Sequence, residues 1–321
     1  MMSGAGLLTW VETMSLSDHM LILVAVAGGV AFSAIGWAYR AAAGAGIPTC
    51  HVAVGMGLAG VAWFGWRAFG TPDAPGVSAP PLVWIWGITN GLAQGCCVYL
   101  YQAGLRYGPF APLWCAGNLS FVTPGVFALW FLGESLDWLQ GLAMTSAALC
   151  VVAAAMDQRR SAENGLAGGW KSWTIYPAML CALVIFTGLC GAGLKHLAAV
   201  RHGGVPLNPM FNDCFMLGMY AALLAWVAVE SALHVERPIS RGRAFACAAA
   251  AGAGSVTGMT LTALVSRLPG GTGFAVISVC SVLAGSLVTS FGFGERRTGA
   301  WWVTVGLAAV SVVLFHLSSG G

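Results

Sequence analysis

Apolar residues in this chain come in runs of 18 to 25, each closed by a short polar or turn-forming break, near 19–39, 47–69, 82–105, 109–132, 137–156, 174–198, 208–231, 244–266, 271–293 and 300–317. A hydrocarbon core of about 30 Å takes about 20 residues at a helical rise of about 1.5 Å. Each run is long enough to cross a bilayer, so the pattern predicts ten transmembrane helices. Stretches such as "GTPDAPGVSAPP" supply the turns. The longest polar break, "DQRRSAENGLAGGWKSW", falls at the centre and leaves five runs on either side. The predicted organisation is a first unit over 17–157, a linker over 158–173 and a second unit over 174–317. Tryptophans at the proposed helix ends, among them Trp66, Trp84, Trp86, Trp138 and Trp302, suit interfacial anchoring.

The two units read as copies. A shift of 161 residues lays Gly91 on Gly252, Arg106 on Arg267, Ser120 on Ser281, Gly133 on Gly294 and Glu134 on Glu295 without a gap. A shift of 158 lays Gly46 on Gly204, Pro48 on Pro206 and Gly60 on Gly218. An odd number of crossings delivers the second copy to the opposite side, so the copies must be inverted. The predicted fold class is an all-α membrane protein, with ten transmembrane helices arranged as two inverted five-helix repeats.

Composition sharpens this picture. Hydrophobic residues make up 58% of the chain and charged residues 8%, against roughly 25% charged in a soluble domain, so the chain cannot clothe a water-facing surface. The net charge of +3 is scattered, with no basic run dense enough for nucleic acid. The opening "MMSGAGLLTWVETM" carries no Lys or Arg ahead of the first apolar run, so no cleaved signal peptide is expected. Assigning breaks alternately to the two sides places ten basic residues on one and four, Arg67, Lys195, Arg201 and Arg267, on the other. By the positive-inside rule the first side is cytoplasmic and both termini lie outside.

The stretch "YLYQAGLRYGPFAPLWCAGNLSFVTPGVFALWFLGESLDWLQG", with its echo "SRLPGGTGFAVISVCSVLAGSLVTSFGFGERRTG", resembles the EamA-type transporters of the drug/metabolite transporter superfamily. Members share an aromatic and alanine-rich third helix, a proline inside the fourth, a Gly-Glu stop and a small-residue fifth helix, all repeated. The resemblance covers about 19–317, and departs from the family where Gly285 stands opposite Pro124. It implies a secondary transporter in a bacterial inner membrane, usually an exporter of metabolites, amino acids or drugs.

The Gly-Glu pairs, Gly133–Glu134 and Gly294–Glu295, need a reason for a carboxylate to follow an apolar run. Glu134 lies 14 residues beyond Ser120, mid-helix, about 21 Å at helical rise and outside a half-core of about 15 Å. There the cost of a charge largely vanishes, so both pairs are read as helix stops; the alternative makes them proton carriers. Substrate candidates lie deeper. Asn90, Gln94, Cys97 and Tyr101, spaced four, three and four apart, share one face of the third helix. Their repeat partners are Ala251, Ser255, Gly258 and Thr262. Gly117, Ser120 and Pro124 align with Ser278, Ser281 and Gly285, giving each half a small-residue groove with a candidate helix bend at Pro124 and Gly285. Asn118 adds an amide, and Trp37, Trp114 and Tyr101 add aromatic wall to the expected cavity. The same small and polar residues can also serve as ordinary helix contacts.

Among intramembrane charges, Asp213 lies about seven residues from its helix centre, roughly 10 Å, inside the hydrocarbon boundary. It is the candidate for coupling to protons; the plainer reading is a polar helix start beside Asn208 and Asn212. Lys195 is expected to snorkel to the surface. "GMGLAG" fits a dinucleotide pattern but sits in an apolar helix without a preceding strand. Ten cysteines show no CxxC and no metal spacing, and no paired-aspartate, serine-elbow or HExxH motif is present. No cofactor, metal or enzyme activity is therefore expected. Two functions remain: a transporter moving a small neutral, zwitterionic or amphipathic molecule by alternating access, or a membrane scaffold that keeps the fold without transport.

Overall fold

A computed structural model describes residues 18–70, 78–104, 110–162, 170–233, 240–266, 268, 272–293 and 299–318. Nearly all of these are helical. The chain runs through α1 (Asp18–Gly44), α2 (Thr49–Phe69), α3 (Pro81–Gly104), α4 (Phe110–Asn118), a 3-10 turn (Leu119–Phe121), α5 (Val122–Phe131) and α6 (Trp138–Ala162). It continues with α7 (Trp170–Ala199), a hairpin of β1 (Arg201–His202) and β2 (Val205–Pro206), α8 (Leu207–Met210), α9 (Asn212–Leu233), α10 (Arg241–Val265), α11 (Thr272–Phe293) and α12 (Gly299–Ser318). Among the described residues six helical stretches are long and apolar enough to cross a membrane: those of α1, α2, α4–α5, α7, α9 and α10. Shorter apolar stretches lie in α6, α11 and α12. The predicted third span, α3, belongs to neither set; Asn90 and Gln94 lie at its middle. The fold is all-α and membrane-like. Large side chains such as Trp130, Phe245 and Phe291 stand more than three-quarters exposed on its flanks, as helices facing lipid would carry them.

Local chemistry explains where the helices depart from the predicted runs. The fourth run is broken by the 3-10 turn, because Pro124 has no N–H to give the Ser120 carbonyl and its ring crowds that carbonyl. Asn208 takes φ −102° and ψ 123°, the extended geometry imposed on a residue before proline, and so kinks the short α8 from within. Helix extends into both ends of the predicted linker over 158–173: α6 continues to Ala162 and α7 begins at Trp170, since a helix keeps its backbone bonds after it leaves an apolar medium.

Packing joins the two halves throughout. α1 packs on α10 and α11, α7 packs on α3 and on α4–α5, α2 packs on α9 and α10, and α3 packs on α9. The last helix of each half, α6 and α12, pack on each other. Ser146 Oγ donates to the Leu307 carbonyl at 2.9 Å, Ser311 Oγ to that of Ala143 at 2.9 Å and Cys150 Sγ to that of Thr304 at 3.4 Å. As one number rises the other falls, so these two helices are antiparallel. The same holds for α2 and α9: Gly57 meets Leu224, Phe64 stacks on Tyr220 at 5.7 Å and Arg67 binds Asp213. Close approach depends on missing side chains. A Cβ at Gly91 of α3 would strike the Met219 carbonyl of α9, and one at Gly252 of α10 would lie 2.8 Å from the Gly55 carbonyl of α2. The fully buried core is aromatic, with Phe64, Phe121, Phe211, Phe215 and Tyr220.

Candidate functional site

A cavity of about 190 Å³ lies between the halves, walled by α1, α2, α3, α4–α5, α7, α9, α10 and α11. Neither α6 nor α12 contributes a described residue to it. Small residues draw the helices together at their crossings around it, and the 3-10 turn before Pro124 lies tight against α7. There a Cβ at Gly188 would come within 2.6 Å of the Ser120 carbonyl, and Thr123 Oγ1 donates to the Val184 carbonyl at 3.2 Å.

The first half brings Gln94, Tyr101, Asn118 and Ser120 to the wall, with Pro124 beside them. The second half brings Ser255, Thr262, Ser278 and Ser281. Two predicted residues are not on the wall. Trp37 packs against the hydrophobic core. Asn90 is fully buried between α3 and α7, with Nδ2 donating to the Trp86 carbonyl at 2.7 Å and Oδ1 without a partner. It stands about one helical turn from Gln94, deeper in the contact with α7, where Gly193 approaches its amide. Gly285 also differs from its expected role: α11 is α-helical from Thr272 to Phe293 without a break, because glycine loosens a helix without removing a hydrogen bond. Several wall residues were not singled out in the sequence, among them Tyr39, Thr187, Met219 and Tyr220. Tyr39 stacks on Tyr101 at 5.6 Å, and only tertiary packing shows that a tyrosine near the end of α1 faces inward.

The Gly133–Glu134 stop has a defined structure. Gly133 takes φ +67°, and the Glu134 N–H bonds back to the Ala128 carbonyl at 3.1 Å, a left-handed helix termination that favours glycine. Glu134 does more than end a helix. Its carboxylate receives the Lys195 ammonium at 2.8 and 3.0 Å, and the same ammonium donates to the Leu268 carbonyl at 2.7 Å. Lys195 is 3% exposed, so it does not snorkel as expected: a carboxylate and a carbonyl within reach hold it inward. Around this pair lies a second cavity of about 390 Å³, lined also by Pro206, Asn208 and Ser266. Gly294 and Glu295 lie outside the described residues.

Asp213 is not isolated. Arg67 Nε approaches its two carboxylate oxygens at 2.9 and 3.0 Å, so a guanidinium offsets the cost of this charge among apolar helices. Trp86, expected as an interfacial anchor, donates its indole N–H to His196 Nδ1 at 2.9 Å and meets Phe127 edge-on. Among the described residues no three or more His, Cys, Asp or Glu side chains gather in a way that could hold a metal ion.

The comparisons with known proteins speak to the fold. No family model matches the chain, and no curated protein matches it. A solved structure described only as "Crystal structure of protein" is similar over 93% of this chain and 99% of its own, with a TM-score of 0.67 at 17% identity. At that identity the likeness establishes a shared architecture and nothing about activity.

Proposed function

We propose that the chain is a secondary transporter of the EamA type, built of ten transmembrane helices as two inverted repeats, that moves a small molecule outward across a bacterial inner membrane by alternating access. The observation that carries the proposal is the cavity between the halves, whose polar wall comes from positions matched by the internal repeat: Gln94 with Ser255, Tyr101 with Thr262, Ser120 with Ser281.

The inverted arrangement is supported by the helix pairings. Exchanging α1 with α7, α2 with α9, α3 with α10, α4–α5 with α11 and α6 with α12 turns the pair α1–α10 into α7–α3, and α2–α10 into α9–α3, each of which packs. The α6–α12 contact is its own counterpart. Under the 161-residue shift, the bond from Cys150 to Thr304 becomes the bond from Ser311 to Ala143. Two of the paired helices, α2 with α9 and α6 with α12, run antiparallel, as inversion requires. Rocking one repeat against the other would then expose the cavity to each side in turn. Proton coupling would run through Asp213, whose carboxylate takes a proton when the cycle separates it from Arg67.

The test is flux: the purified chain in proteoliposomes, loaded with metabolite mixtures, with and without a pH gradient. Time-dependent loss of a specific small molecule that Gln94→Leu with Ser281→Ala abolishes supports the reading. Vesicles that leak nothing beyond protein-free controls, with correctly folded protein, reject it in favour of a scaffold.

A further inference from the structure

The polar groups facing the central cavity divide into engaged and idle ones. Asn118 Nδ2 donates to the Trp114 carbonyl at 2.9 Å, Thr262 Oγ1 to that of Gly258 at 2.7 Å, and the Tyr220 and Ser255 hydroxyls bond each other at 2.6 Å. Ser281 is different: 2% exposed, it lines the cavity and its Oγ has no hydrogen-bond partner. Gln94, Ser120 and Ser278 also line the cavity and make no side-chain hydrogen bond among the described residues. One carboxamide and three hydroxyls are thus left for something inside. A buried polar group without a partner costs about 1–3 kcal/mol, which a ligand bearing complementary groups would recover.

The rest of the wall limits what that ligand can be. No Asp, Glu, Lys, Arg or His is among the described residues that line the cavity, so an ionised group placed there would be desolvated without a counter-charge, at a cost of several kcal/mol. Phe32, Trp114, Phe121 and Phe274 supply flat apolar surface, and Met56 and Met259 supply adaptable thioethers. Size sets the last limit. An apolar cavity of about 150 Å³ holds one benzene ring, and the space here is about 190 Å³.

We infer that the substrate is an uncharged compound of about one ring, aromatic or alicyclic, carrying one or two hydroxyl or carboxamide groups that bond Ser281 and Gln94. This rests on the transporter reading for the word substrate, but the binding chemistry stands apart from it. An ammonium or carboxylate on the same ring removes affinity. Ser281 takes one polar group of the ligand, and Gln94, with both donor and acceptor, takes an amide or hydroxyl.

Titration calorimetry on the purified full chain tests this, with nicotinamide, benzamide and cyclohexanecarboxamide as neutral probes. Nicotinate and 3-(aminomethyl)pyridine, which is an ammonium at neutral pH, are the charged isosteres. At least one neutral probe binds, and each charged isostere binds roughly tenfold or more weakly, the factor for about 1.4 kcal/mol. Ser281→Ala and Gln94→Leu each weaken the neutral probe about 2- to 12-fold, the range for a net hydrogen bond of about 0.5–1.5 kcal/mol. Ser278→Ala serves in place of either variant that fails to elute as a single folded species. The inference is overturned if no neutral probe binds at millimolar concentration, if a charged isostere binds as tightly, or if the affinity ignores all of these substitutions. Flux separates the two readings. Ser281-dependent binding without transport rejects the transporter and keeps the ligand class, whereas transport of a charged compound alone rejects the ligand class and keeps the transporter.

Discussion

The pair formed by Glu134 and Lys195 offers the most direct test of how the end of α5 is held. Replacing Glu134 by Gln keeps the shape and the left-handed cap at Gly133 but removes the negative charge 2.8 Å from the Lys195 ammonium. The ammonium then has the Leu268 carbonyl at 2.7 Å as its remaining described acceptor. Removing one partner of a fully buried pair costs about 3–5 kcal/mol, mostly the price of the stranded charge. The Glu134 side chain is 27% exposed, so water shares the burden and about 2–3 kcal/mol is the expected loss. Lys195→Met removes the charge on the better-buried side and leaves the partly wet carboxylate, which should cost less. The double variant leaves neither charge of this pair facing an empty place and should recover most of the loss. Thermal unfolding of the four proteins in one detergent, read as shifts of the midpoint, measures this cycle. A Glu134→Gln variant as stable as the parent, or a double variant no better than the worse single one, would refute the reasoning. So would the reverse separation, in which Glu134→Gln keeps full stability but loses pH-driven flux, because the carboxylate would then be a proton carrier.

Further substitutions probe other joints of the fold. Asp213→Asn removes the negative charge facing Arg67 while keeping one acceptor, and should lower the unfolding midpoint through a loss of about 2–3 kcal/mol; in the proposed cycle it also removes the response of flux to a pH gradient, and an unchanged pH response would clear Asp213 of that role. Gly133→Ala forces a Cβ into φ +67° with nothing crowding it, so a loss of about 1 kcal/mol and no change in ligand affinity is expected; a variant of full stability would contradict the cap. Ser146→Ala and Ser311→Ala each remove one bond across α6–α12 and should each cost about 1 kcal/mol, nearly additively. Impermeant labelling of single reporters at 140 and 301 should mark opposite faces of the membrane, and labelling from one side would end the inverted-repeat reading.

Much of this was legible in the sequence because it rests on one-dimensional patterns. Run lengths located the helices, and the proposed repeat pairs Gly91 with Gly252, each of which sits at a close helix crossing. The spacing of Gln94 and Tyr101 placed both on the face that lines the cavity. Three kinds of fact stayed hidden. Partners distant in sequence, Arg67 with Asp213 and Glu134 with Lys195, are decided by which helices touch. Asn90 stands off the cavity wall for a similar reason, since it shares a helix face with Gln94 but is covered by α7. Linker bounds escaped because hydropathy marks where an apolar medium ends, and a helix can continue past it.

An inverted repeat of the proposed kind would also explain why the two ends of the bundle need not be equivalent. In an inverted-repeat carrier the inward-open and outward-open states exchange the conformations of the two halves, so any contact that closes one end has a counterpart position at the other. The 158-residue shift that relates the first helices lays Lys195 on Trp37. A lysine bound to a carboxylate can therefore tie α7 to the end of α5, while the equivalent place on α1 carries an indole that packs in the core. The ammonium contributes charge-assisted bonds at one end that the other cannot copy. In the proposed alternating-access cycle this would bias the resting population toward the state that keeps the pair. Removing it with Glu134→Gln and Lys195→Met together should shift the population toward the opposite state even where stability recovers. Side-specific labelling of the cavity would read that shift, and an unchanged labelling pattern would show that the pair holds the fold without setting the cycle.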